Sequence, residues 1–98
     1  MSLPISCHNA QFGTLGQIEP SNLAEIAQQG YKSVINNRPD GEGGPSQPSN
    51  ASIQAEAEKL GLNYVYLPVV PGAFTQAQVQ EMARLLKTLP GPVLAFCR

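Results

Sequence analysis

Short apolar runs alternate along this chain with stretches of helical spacing, and glycine or proline stands at most of the boundaries between them. Ile5 to His8 and Phe12 to Leu15 are brief, glycine-punctuated segments that predict a strand pair at one edge of a sheet. Ser21 can cap a helix in which Leu23, Ile26 and Ala27 share one face, and Gly30 stands where a left-handed residue would end it, near Gln29. Ser33-Val34-Ile35-Asn36 is a β-branched run suited to a buried strand. The fifteen residues from Asn36 to Asn50 hold three of the nine glycines and three of the nine prolines, which predicts a loop. Ile53, Ala57 and Leu60 lie on one face of a second helix ended by Gly61, and Tyr64 to Leu67 resumes as a strand stopped by Pro68. Thr75-x-x-Gln78 is a capping box opening a third helix of about four turns, with Val79, Met82, Ala83 and Leu86 as its core stripe. Gln80, Glu81, Arg84 and Lys87 then face water, and Pro90-Gly91-Pro92 breaks the helix. Val93-Leu94-Ala95-Phe96 is a continuous apolar run of the kind a central parallel strand shows.

Strands separated by helices require right-handed crossovers, so the pattern predicts an α/β fold: a central, mostly parallel sheet flanked by helices. At 98 residues the chain fits one domain, and a chain of that size buries roughly two-thirds of its unfolded surface. Apolar residues at 42% against 13% charged describe a folded globule rather than a disordered chain. A net charge of -1 gives no broad positive field, which argues against nucleic acid and against anionic membranes as partners. The N-terminal residues show neither a signal-peptide pattern nor an apolar span, so the expected location is the cytoplasm. Cys7 and Cys97 are too few for a disulfide scaffold or a four-cysteine zinc site, and His8 beside Cys7 cannot chelate one ion from the same strand. No metal and no cofactor is expected.

In open α/β sheets the binding crevice lies beyond the carboxyl ends of the strands. Three places qualify: the loop after Ile35, with Asn36, Asn37, Arg38, Asp40 and Glu42; the loop after Leu67, from Pro68 to Phe74; and the residues after Phe96, beginning with Cys97. A cysteine at the tip of a buried strand is placed to act as a nucleophile beside a loop that cradles an anion. The plainer alternative is an inert buried cysteine. Arg38-Pro39-Asp40-Gly41 also suits an ordinary turn with Arg38 paired to a carboxylate, and Asn36 and Asn37 suit loop backbone as well as a ligand.

Val93-Leu94-Ala95-Phe96-Cys97-Arg98 resembles the strand and opening of the phosphate loop in cysteine-dependent protein tyrosine and dual-specificity phosphatases. The match extends upstream through Gly16-Gln17, the run from Gly30 to Glu42 with its Val-Ile-Asn-Asn-Arg-Pro-Asp-Gly-Glu core, Gly61-Leu62-x-Tyr64 and Leu67-Pro68-Val69. These segments resemble the small bacterial phosphatase-like family that also occurs as the N-terminal domain of beta-lactamase hydrolase-like proteins.

The resemblance implies a cysteine-phosphatase-like fold in which the Cys97 thiolate attacks a phosphomonoester and forms a cysteinyl-phosphate that water hydrolyses. A phosphorylated protein, at tyrosine or serine, or a small phosphomonoester would be the substrate, and relatives can carry a fused hydrolase or sulfur-metabolism domain. Asn37, Arg38, Glu42 and Arg98 are the substrate-binding candidates. Arg98 falls at the second position of the loop and is not given the role of the arginine that clamps phosphate further along in this family. These 98 residues therefore read as a phosphatase-like domain that stops at the opening of its phosphate loop, catalytically crippled as written. Phe96 stands where conventional members place a histidine, and Pro68 to Gly72 lacks the usual general-acid aspartate. Asp40, the one aspartate of the chain, is the leading acid in its place, followed by Glu42. Two alternatives remain: a rhodanese-like sulfurtransferase carrying a persulfide on Cys97, and a non-catalytic anion-binding module that regulates a fused domain.

Overall fold

The computed structural model describes all residues except Met1, Ser2, Pro71, Phe74 and Arg98. The strands are β1 (Ser6–Asn9), β2 (Phe12–Leu15), β3 (Ser33–Asn36), β4 (Asn63–Tyr66) and β5 (Val93–Phe96). The helices are α1 (Leu23–Gln28), α2 (Asn50–Lys59) and α3 (Gln76–Thr88). The sheet order is β1-β2-β5-β3-β4, with β2, β5, β3 and β4 parallel and β1 antiparallel at the edge. Strands β3 and β5 lie side by side in its interior, and all eight of their residues are buried, the polar Ser33 and Asn36 included. Two-sided burial is what selects a continuous apolar run such as Val93–Phe96 over an alternating pattern.

The helices divide between the two faces. Leu23 and Ile26 of α1 and Ile53 and Ala57 of α2 pack with Leu15, Val34, Leu94 and Phe96. On the opposite face Leu85 of α3, with Met82 and Leu89 beside it, packs on Ile35, Val93 and Ala95. Side-chain alternation along β3 and β5 accounts for the division, since neighbouring residues point to opposite sides. No helix of the described residues is long and apolar enough to cross a membrane.

Three expectations need correction. Ser21 does not cap α1: it sits inside a 3-10 turn, Pro20–Asn22, and Asn22 accepts a hydrogen bond from the Glu19 N–H through its side chain. Pro20, with φ preset for a first helical turn, starts the turn before Ser21 can act as a cap.

Leu60 is exposed, and Leu62 takes its place in the core. The Leu62 N–H bonds the Ala57 carbonyl and the Gly61 N–H bonds the Glu58 carbonyl, with Gly61 at φ 78°. This is a Schellman ending, in which the left-handed glycine swings the following residue back against the helix.

The stripe of α3 is rotated relative to the expectation. Val79 is 58% and Leu86 38% exposed, and Ala83 is exposed as well, whereas Leu85 is 4% exposed with Met82 and Leu89 half-buried. Apolar residues occupy more than one face of this helix, and the single face that meets the sheet runs through 78, 82, 85 and 89. Its capping box forms as expected: the Thr75 side chain accepts from the Gln78 N–H, and the Gln78 side chain accepts from the Thr75 N–H.

Candidate active site

The β5 tip lies between two parallel neighbours. Phe96 is in register with Leu15 of β2 on one side and Asn36 of β3 on the other. The ladder continues one step further: the Cys97 N–H donates to the Leu15 carbonyl at 3.1 Å, and the Asn37 N–H donates to the Phe96 carbonyl at 2.9 Å. Cys97 is thus held by its backbone on a buried strand, yet the residue itself is exposed.

The long loop after β3 is tied down by its own side chains. The Asn36 carboxamide oxygen accepts from the Arg38 N–H at 2.9 Å, an Asx turn that starts the loop. Arg38 donates from Nε to Glu42 Oε1 at 3.2 Å and from Nη1 to Gln17 Oε1 at 2.9 Å. Its side chain is only 14% exposed. Asn37 donates from its side chain to the Leu67 carbonyl and accepts, through its own carbonyl, from the Val69 N–H, which ties this loop to the one after β4. Gln47 accepts from the Gly43 N–H and donates to the Pro39 carbonyl.

Asp40 faces away from a free-standing role. Its carboxylate accepts from the Asn50 N–H at 2.7 Å, at the first turn of α2, and its own N–H donates to the Tyr66 hydroxyl at 2.8 Å. A carboxylate at a helix N-terminus is favoured by the orphan N–H groups and by the helix dipole.

Tyr64 and Tyr66, two residues apart on one side of β4, are the site residues that composition does not reveal. Tyr64 accepts from the Asn36 side chain at 3.0 Å and donates to Asn50 Oδ1 at 2.5 Å, linking the end of β3 to the start of α2. Burial pushes its hydroxyl from the ordinary 10.0 up to about 12, with the Asp40 and Tyr66 charges adding to the rise and the Asn36 hydrogen bond opposing it. A raised tyrosine pKa contributes stability that is whole below the unfolded value and lost as pH climbs towards the folded one. Tyr64→Phe should therefore flatten the fall in stability between pH 10 and about 12. At neutral pH it should cost about 1 kcal/mol, as Asn36 and Asn50 each lose a partner. Urea unfolding across that range measures both, and an unaltered alkaline slope would contradict the assignment.

Comparison with known proteins places this geometry. Residues 7–98 match the family model of the beta-lactamase hydrolase-like protein, phosphatase-like domain. The chain belongs to that family. A beta-lactamase hydrolase-like protein of Xylella fastidiosa is 39% identical over 90 residues, which cover 92% of this chain and 21% of that protein. This phosphatase-like domain thus spans about a fifth of the length of the curated relatives it matches. Among solved structures, a protein of Neisseria meningitidis described as a "putative phosphatase" superposes with a TM-score of 0.89 at 31% identity, covering 99% of this chain and 68% of that one. A protein of Shewanella putrefaciens with the same description has a TM-score of 0.79 at 22% identity, over 97% of this chain and 61% of that one, and supports the fold.

Within the phosphatase-like domain, strand register places Gln17 and Arg38 on either side of the β5 tip, and Glu42 joins them through Arg38. Asn37 is adjacent, with its carboxamide engaged by backbone. Asp40 is drawn to α2 and β4 instead. Arg98, also a substrate-binding candidate, lies outside the described residues. Gln17 has little local signal of its own beyond the Gly16-Gln17 pair, because its partner is 21 residues away.

Proposed function

We propose that this domain is a cysteine-dependent phosphomonoester hydrolase of the protein tyrosine and dual-specificity type, with Cys97 as its nucleophile. The observation that carries the reading is the position of Cys97, directly after the buried central strand β5 and flanked by parallel strands on both sides. That is the end of an α/β sheet where ligands bind. The Cys97 thiolate would form the S–P bond as the P–O bond to the leaving group breaks, and water would then release phosphate from the cysteinyl-phosphate. A phosphorylated protein or a small phosphomonoester is the proposed substrate.

The leaving oxygen needs a proton, and Asp40 is the carboxylate we assign to supply it, since Glu42 is paired with Arg38. Asp40 must first give up its hydrogen bond to the Asn50 N–H, so loop movement is part of the proposal. Arg98 is not assigned the phosphate-clamping role.

The test is p-nitrophenyl phosphate turnover by the full-length polypeptide, with Asp40→Asn beside the parent. Asp40→Asn should lower kcat by roughly 10²- to 10⁴-fold, the usual contribution of a general acid. Unchanged turnover removes Asp40 from that role. Sulfur transfer from thiosulfate to cyanide in place of phosphate release would support the sulfurtransferase reading instead.

A further inference from the structure

We infer that Arg38 is a positioning residue: gripped between Gln17 and Glu42, it straps the chain leaving β2 to the chain leaving β3 across the tip of β5, and so fixes the frame that holds Cys97. The inference rests on the reading of Cys97 as the nucleophile.

Strand register supplies the geometry. Leu15, Phe96 and Asn36 are aligned across the three strands, and Gln17 and Arg38 each lie two residues further on, beyond the last backbone bonds to Phe96 and Cys97. Neighbouring strands are about 4.8 Å apart, so the chains leaving β2 and β3 are separated by roughly 10 Å with β5 between them. The Arg38 Nη1 to Gln17 Oε1 bond, 2.9 Å long, closes that gap with side chains alone.

Arg38 is built to be held. Its backbone N–H is fixed by Asn36, its Nε by Glu42 and its Nη1 by Gln17. Gly43 leaves the space the guanidinium fills, since a Cβ at that position would collide with Arg38 Nη2 and press on Cζ. A lysine cannot reproduce two divergent, directed donors on one planar group. With two of its nitrogens committed to protein partners, the guanidinium acts as a brace rather than as an arm extended to substrate.

The experiment compares Arg38→Ala, Arg38→Lys, Gln17→Ala, Gln17→Glu and the Gln17→Ala/Arg38→Ala double variant in the full-length polypeptide, with p-nitrophenyl phosphate as substrate and the unfolding midpoint followed in parallel. Arg38→Ala and Gln17→Ala should lower kcat, Arg38→Ala by roughly 10- to 100-fold as expected for a nucleophile displaced by a fraction of an ångström to about 1 Å. KM should move little. Arg38→Lys should not restore kcat, whereas Gln17→Glu, whose carboxylate accepts the same bond, should recover most of what Gln17→Ala loses. The double variant should be no worse than the worse single one, because both remove the same interaction. A raised KM with unchanged kcat and rescue by lysine would instead make Arg38 a substrate ligand, and additive losses would dissolve the strap. Iodoacetamide labelling of Cys97 in a Cys7→Ser background provides a second readout. Labelling rates that follow the same non-additive pattern while no variant hydrolyses the phosphomonoester would sink the phosphatase reading and leave the strap standing. Labelling rates that Gln17 and Arg38 change independently would sink the strap alone.

Discussion

Cys97→Ser in the full-length polypeptide should lower p-nitrophenyl phosphate turnover by at least about three orders of magnitude, the scale on which loss of a covalent nucleophile acts. The unfolding midpoint should hardly change. Exchanging sulfur for oxygen is a near-isosteric change, and the Cys97 N–H bond to the Leu15 carbonyl involves the backbone alone. The loss would be chemical, because a serine hydroxyl is a far weaker nucleophile than a thiolate at its ordinary pKa. Cys7 provides the control. It is exposed on edge strand β1, with β2 between it and β5. Cys7→Ser should retain turnover. Equal losses in the two variants, or none in Cys97→Ser, would remove the chemistry from the β5 tip.

Phe96→Ala should destabilise the fold by about 3–5 kcal/mol, a large share of the roughly 5–15 kcal/mol that holds a domain folded. Phe96 is 1% exposed and belongs to the cluster that α1 and α2 press against the sheet, with Leu15, Val34 and Leu94. Truncation there leaves a cavity in the middle strand of five, where both flanking strands are already committed to hydrogen bonding. Val79→Ala on α3 is the contrast, with Val79 58% exposed and the expected cost below about 0.5 kcal/mol. Urea unfolding of the two variants reads the difference. Similar costs at the two positions would mean that the faces of the sheet and of α3 are assigned wrongly.

Legibility followed the range of the interaction. Ser33–Asn36 and Val93–Phe96 are readable to the residue, because a four-residue run with a β-branched or apolar centre, bounded by turn residues, suits a strand buried on both faces. The Thr75 box is readable because its two hydrogen bonds close within three residues. The Gly61 ending is readable too, but not its effect, since the turn exchanges Leu60 for Leu62 in the core. The α3 stripe is misread because apolar residues cover more than one face, and only contact with Ile35, Val93 and Ala95 chooses among them.

The same distinction runs through the site. Cys97 could be placed by the rule that α/β sheets bind ligands at the carboxyl ends of their strands. The pairing of Arg38 with a carboxylate four residues away was also foreseeable. Its second partner, Gln17, comes from another strand exit and is legible only once β2 and β3 are known to flank β5. Asp40 shows the converse: a lone aspartate in a glycine- and proline-rich loop suggests chemistry, while folding sets it at the N-terminus of α2, where it also stabilises the helix.

On the proposed mechanism Cys97 carries the phosphoryl group between the two half-reactions. Rapid acid quenching of the full-length polypeptide during turnover of p-nitrophenyl phosphate, followed by proteolysis and mass spectrometry, tests it directly. One phosphoryl group is expected on the peptide containing Cys97 and none on the peptide containing Cys7. Steady phosphate release with Cys97 unmodified at every quench time, and undiminished in Cys97→Ser, would contradict it.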